Sequence, residues 1–89
     1  MTKPKKSLLE FPCSFPLKVI GKNSGDFEAR MVEIVRQHVP ELRADAVSSR
    51  LSRDGKYLAV TAVFTAQSQE QLDGLYSELS SHELVMMVL

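Results

Sequence analysis

Between Ser14 and Lys22, Phe15, Leu17 and Val19 alternate with Pro16, Lys18 and Ile20, the period-two pattern of a strand with one clearly apolar face. Pro16 has no N–H for a ladder, which places it near the strand's start or opposite an unpaired position. Gly21, Asn23, Ser24, Gly25 and Asp26 follow as a turn, and Asn23 or Ser24 is the expected cap of the next helix. From Asp26 to His38 the apolar positions Phe27, Met31, Ile34 and Val35, with His38 closing the stripe, recur at helical spacing. Glu28, Arg30, Glu33, Arg36 and Gln37 mark the wet side. Pro40 cannot continue the helix and biases Val39 away from helical angles.

The second half repeats the alternation of element types. Val47, Ser49 and Leu51 form one side of a more polar strand, and Arg53-Asp54-Gly55-Lys56 supplies an Asp-Gly turn suited to a hairpin. The third strand, from about Tyr57 to Ala66, sets Leu58, Val60, Ala62 and Phe64 against Tyr57, Ala59, Thr61, Val63 and Thr65. Ser68-Gln69-Glu70-Gln71 matches a capping box, and Leu72, Leu75, Tyr76 and Leu79 continue it as a helix despite Gly74. Leu84 to Leu89 is an apolar run too short for a buried helix and reads as a fourth strand. Strand, helix, strand, hairpin, strand, helix, strand is the split βαβ arrangement of an α+β, ferredoxin-like βαββαβ sandwich. The expectation is a four-stranded antiparallel sheet of order 4-1-3-2 with both helices on one face.

Composition narrows the function classes. The 89 residues fit one domain, spanning 1–89, and 44% hydrophobic with 25% charged residues is an ordinary globular balance. The formal net charge of +0 removes the electrostatic argument for nucleic acid as a partner. Basic residues cluster only at Lys3, Lys5 and Lys6, so residues 1–7 read as a solvated, flexible basic tail. Leu8, Leu9 and Phe11 are interrupted by Glu10 and Pro12, which leaves no run of signal-peptide or membrane-spanning length; a cytoplasmic protein with no membrane partner is expected. A single cysteine, Cys13, excludes an intrachain disulfide and a multi-cysteine metal site, in keeping with a reducing compartment. No cofactor and no metal are expected.

The segments Leu8-Leu9-Glu10-Phe11-Pro12, Lys18-Val19-Ile20-Gly21 and Val32-Glu33-Ile34-Val35 with His38 following carry a resemblance. So do Leu75-Tyr76-Ser77-Glu78-Leu79 and the closing Val85-Met86-Met87-Val88-Leu89. In order and spacing across nearly the whole chain they resemble the YbeD-like family of small bacterial proteins. The fold of that family resembles the ACT-type regulatory domain of phosphoglycerate dehydrogenase. The resemblance implies a fold and transfers no catalytic motif. Genes of this family often lie near those of lipoate attachment, a hint about context rather than chemistry.

Candidate sites follow from the residues. Cys13 as a nucleophile needs a neighbouring base, and sequence places neither His38 nor His82 beside it. His38 suits the C-terminal end of a helix dipole, and His82 falls in the turn before the last strand. The loop Gly21, Lys22, Asn23, Ser24, Gly25 and Asp26 is the candidate ligand site, because glycines admit a close backbone approach and a helix N-terminus offers free N–H groups. In ACT-like domains the corresponding loop often lines an effector pocket. The uncovered sheet face offers one aromatic, Tyr57, which is a poor platform for stacking bases. It reads instead as a surface covered by the Leu8-Leu9-Phe11 segment or by a second subunit. Tyr57, Val63, Met86 and Met87 are the candidate interface residues, and an uncharged last strand on the sheet edge calls for a partner, such as a second copy in a homodimer. The favoured function is therefore a non-enzymatic regulatory or adaptor domain that binds a protein partner or a small metabolite. An ACT-like small-molecule sensor with its ligand at a dimer interface is the alternative, and a small hydrolase or transferase using Cys13 or Lys22 is the third possibility.

Overall fold

A computed structural model describes residues 10–89; the basic tail with Lys3, Lys5 and Lys6, and the residues Leu8 and Leu9, lie outside the described residues. The elements run β1 (Cys13–Lys22), α1 (Phe27–His38), a 3-10 turn (Ala44–Ala46), β2 (Val47–Leu51), β3 (Tyr57–Ala66), α2 (Gln69–Ser80) and β4 (Val85–Val88). The sheet order is β2-β3-β1-β4, which is the expected 4-1-3-2 read from the other edge, and every pair is antiparallel.

Side chains alternate across the pleat, so register decides which residues share a face. Leu17 lies opposite Ala62, Val19 opposite Val60 and Phe15 opposite Phe64. These face the helices, where Phe27, Met31, Leu75 and Leu79 are wholly buried with Leu17 and Val39. Burial of each such side chain contributes about 1.5–3 kcal/mol. Phe15 extends this interior by packing on Phe64 at 5.9 Å and edge-on against Tyr76 at 6.4 Å between ring centroids.

Pro16 is accommodated as its missing N–H requires. Lys18 and Lys22 both direct their N–H toward the β4 side, to the carbonyls of Leu89 and Leu84. Pro16, two residues before Lys18, therefore turns its ring nitrogen to the same side, past Leu89, where no ladder partner is needed.

Helix starts differ from expectation in one case and match it in the other. Ser68 Oγ accepts from Gln71 N at 3.1 Å, as a capping box requires. The Gln71 side chain reaches past the cap to accept from Gln67 N at 2.8 Å and also donates to the carbonyl of His38 at 2.8 Å, tying the start of α2 to the end of α1. For α1 the expectation that Asn23 or Ser24 caps the helix is wrong. The cap residue is Asp26, without a side-chain cap bond, while Asn23 donates from Nδ2 to Gly55 and Ser24 donates to Asp26 Oδ1. Asn23 also donates its backbone N–H to Lys56 at 2.9 Å, so the loop is pinned to the hairpin 32 residues away rather than to its own helix.

The hairpin itself is a β-turn over Ser52–Gly55, closed by Gly55 N to Ser52 O at 3.0 Å, with Gly55 at φ +75°. That left-handed angle is one glycine adopts without a Cβ penalty. Asp54 Oδ1 accepts from Ser52 Oγ at 2.7 Å and from Lys56 N at 3.1 Å, and both contacts hold its carboxyl below the ordinary 3.8.

Candidate functional site

Three regions hold the residues singled out from the sequence: the loop between β1 and α1, the sheet face away from the helices, and the β4 edge. Gly21 and Lys22, expected in the turn, are the last two residues of β1; Gly21 is buried there, and a Cβ on it would run into the Leu84 carbonyl oxygen and the Phe27 ring. Its lack of a side chain serves packing between β1, α1 and the start of β4. Gly25 has nothing within 4 Å of the place a Cβ would occupy and sits on the outside of α1, along a shallow groove with Glu28, Val32 and Glu33. Asp26 is engaged by Arg30 Nε at 2.7 Å, and that bond, with the guanidinium charge, holds its carboxyl below 3.8. Of the six loop residues, Lys22 is exposed on the far side of the sheet, opposite Tyr57, while Asn23, Ser24 and Asp26 have their side chains committed within the protein.

The histidines and the cysteine are likewise occupied by the fold. His38 Nε2 meets Glu78 Oε1 at 2.7 Å, bridging α1 to α2, and a Cβ placed on Gly74 would meet the His38 ring at ordinary contact distance. His82 Nδ1 accepts from Leu84 N at 3.1 Å in the turn before β4. Cys13 is a half-buried free thiol packed against the core at the opposite end of β1 from that turn, about 30 Å away at ~3.3 Å per residue. Among the described residues no group of three or more His, Cys, Asp and Glu side chains is placed to hold a metal ion, and no helix is long and apolar enough to cross a membrane.

The sheet face away from the helices is uncovered by any described residue. Of the two covers offered for it, the Leu8-Leu9-Phe11 segment and a second subunit, Phe11 packs against the core with Cys13 and Phe15 on the helix side, while Leu8 and Leu9 lie outside the described residues. Register builds the face in rows. Leu89, Lys18, Thr61 and Ser48 form one row, and Met87, Ile20, Ala59 and Arg50 the next. Lys22 pairs with Tyr57 beyond them, and Pro16 with Val63 on the other side. Lys18, Ser48, Ser49, Arg50, Ala59 and Thr61 line a shallow depression of about 330 Å³ across the middle.

At the sheet edge, β4 is apolar and open. Leu89 exchanges both backbone bonds with Lys18, at 3.2 and 2.8 Å, so the backbone groups of Val88 point away from the sheet. Met87 lies opposite Ile20 and Val85 opposite Gly21, which makes Met86 the extra residue of a bulge. Met86, Met87 and Leu89 are 57%, 51% and 56% exposed, and Tyr57 and Val63 on the neighbouring face are 38% and 42% exposed. All four residues expected at an interface thus reach solvent. Lys18 and Arg50 were not among them, because their convergence on one depression depends on strand register.

Fold and surface together define a ferredoxin-like domain of the ACT-like type, with its helices packed on one side and an open sheet on the other. Protein HP0495 from H. pylori, a solved structure, superimposes with a TM-score of 0.67 over 91% of this chain and 85% of that one, at 12% identity. The ACT domain from the GTP pyrophosphokinase of Chlorobium tepidum does so with a TM-score of 0.64 over 85% and 84%, again at 12% identity. The chain belongs to the family described as "Protein of unknown function (DUF493)", whose model matches residues 6–89. A UPF0250 protein of Neisseria gonorrhoeae is 47% identical over 85 residues, 96% of this chain and 93% of its own length. A UPF0250 protein of Chromobacterium violaceum is 43% identical over 89 residues, the whole of both chains. These bacterial relatives agree with the YbeD-like resemblance.

Proposed function

We propose that this chain is a non-enzymatic regulatory or adaptor module that acts by binding, and that it assembles through β4 with a second copy of itself. The observation behind this reading is the β4 edge. It carries outward-facing backbone groups at Val88 beside exposed Met86, Met87 and Leu89, with no charged side chain from Leu84 to Leu89 to deter pairing. Antiparallel pairing of two such edges extends the sheet from four strands to eight and leaves the open faces of both copies side by side. The commitment of Asn23, Ser24, Asp26, His38 and His82 to internal contacts supports binding over chemistry as the mode of action.

Sedimentation analysis at micromolar concentration tests the reading. A dimer is expected, and Met86→Lys is expected to give a monomer whose melting temperature is lower than that of the wild-type chain and no longer rises with concentration. A wild-type chain that stays monomeric across the concentration range overturns it. The ACT-like fold shared with the pyrophosphokinase domain supports a second reading, in which the paired copies hold a small metabolite between them. A thermal-shift panel of amino acids and nucleotides separates the two, since only the sensor reading predicts a ligand-dependent rise.

A further inference from the structure

The formal charge of the chain is zero, yet its charges are not evenly spread. The strand residues of the open face are Ser14, Pro16, Lys18, Ile20 and Lys22 on β1, Ser48 and Arg50 on β2, Tyr57 to Thr65 in alternation on β3, and Met87 on β4. They include three cations and no carboxylate. None of Lys18, Lys22 and Arg50 takes part in an ion pair among the described residues, whereas Arg30 and Arg43 are paired with Asp26 and Asp45 away from this face. Lys18 and Arg50 stand two strand spacings and two residues apart, about 12 Å on the diagonal, with only Ala59 and Thr61 between them. Exposed Val63, Tyr57, Met87 and Leu89 flank this cationic strip.

We infer that the open face is a docking surface for an acidic, amphipathic helix of a protein partner, with Lys18, Lys22 and Arg50 receiving its carboxylates and Met87, Leu89, Tyr57 and Val63 its apolar stripe. The inference rests on the binding-module reading and names the partner's chemistry. Charge complementarity carries it: the face presents positive charge beside apolar surface, so the occupant presents the converse. A helix laid on the free face adds a third layer and makes a helix–sheet–helix arrangement. A second copy stacked face to face is disfavoured, because it opposes three cations with three more. A single small anion held between Lys18 and Arg50, whose backbones stand about 12 Å apart, leaves Lys22 and the flanking apolar side chains without a partner. Nucleic acid lacks the stacking platform it uses on such sheets, where Tyr57 is the one aromatic.

The test is a titration of the isotopically labelled full chain, followed by its backbone amide resonances, with a synthetic helical peptide of about five turns bearing a leucine stripe flanked by glutamates. A matched peptide with glutamine for glutamate, a uridine homopolymer and phosphatidylglycerol vesicles are run in parallel. The glutamate peptide is expected to shift Lys18, Ile20, Arg50, Ala59 and Thr61, with binding that weakens as salt is raised across the range from about 50 to 300 mM. Lys18→Glu with Arg50→Glu is expected to weaken binding at least about 10-fold, and Arg43→Glu, off the face, to leave it unchanged. Binding by the Met86→Lys chain distinguishes this surface from the β4 pairing, since a monomer retains the face. No shift on the face at millimolar peptide overturns the inference. So does an equal response to the glutamine peptide, or tighter binding of the homopolymer or the vesicles at these residues.

Discussion

Replacing Gly21 by alanine places a methyl group against the Leu84 carbonyl oxygen and the Phe27 ring, both closer than real Cβ contacts allow. Phe27 is wholly buried and has no free volume to retreat into. The Leu84 carbonyl accepts from Lys22 N at 3.2 Å, so moving it weakens the bond where β4 joins β1. Overpacking of this kind costs about 1–3 kcal/mol and the strained hydrogen bond about 1 more, so Gly21→Ala is expected to lose about 2–4 kcal/mol. In urea, at a slope of about 1 kcal/mol per molar for a small domain, the midpoint falls by roughly 2–4 M, or the variant fails to fold. Gly25→Ala is the control in the same loop. Its methyl meets nothing within 4 Å, and its backbone is outside the left-handed region, so its stability stays within about 0.5 kcal/mol of wild type or rises slightly. Equal melting of wild type and Gly21→Ala, or equal losses at the two glycines, refutes the packing argument. It also returns the loop glycines to the role of admitting a ligand.

Gln71→Ala removes both the bond from Gln67 N and the one to the His38 carbonyl while sparing the Ser68 cap, and chemical denaturation is expected to show a loss of about 2 kcal/mol. Asp54 has its folded pKa depressed by the Ser52 hydroxyl and the Lys56 N–H. Its stabilisation is therefore complete above the unfolded value, near 3.8, and is lost as pH falls through the folded one. Asp54→Asn is accordingly expected to lower stability at neutral pH and to flatten the acid limb of a stability profile below about pH 4; an unchanged slope counts against the assignment. Tyr76 donates from its hydroxyl to the Leu89 carbonyl at 3.1 Å, and partial burial raises its pKa above 10.0. The neutral form is the one the fold prefers, so stability falls as pH rises through the unfolded value toward the folded one, and Tyr76→Phe abolishes that alkaline dependence in thermal melts.

Some of this protein was decided within short stretches of its chain. Alternation at Phe15 to Ile20 and at Tyr57 to Thr65 assigned strands and their apolar faces, since a pleat of period two buries every other residue whatever the partner strand. The Phe27, Met31, Ile34, Val35 stripe and the Ser68 to Gln71 box did the same for the helices, because their physics acts within a few residues. The order of those elements, with family resemblance beside it, sufficed for the topology. What depended on groups far apart in sequence was decided only by the tertiary structure. Asn23 could satisfy a helix N–H or a distant carbonyl, and local sequence does not rank the two; the hairpin at Gly55 won because the sheet brings it alongside. Gly21 has the sequence signature of a loop glycine, but the Phe27 ring and the Leu84 carbonyl fill the space a ligand would have needed. Lys18 and Arg50 are ordinary wet-side residues of two strands 32 positions apart, and they share one depression because β3 lies between β1 and β2 in fixed register. Periodicity assigns each residue to a side of its own strand; pairing alone determines which charges end up as neighbours.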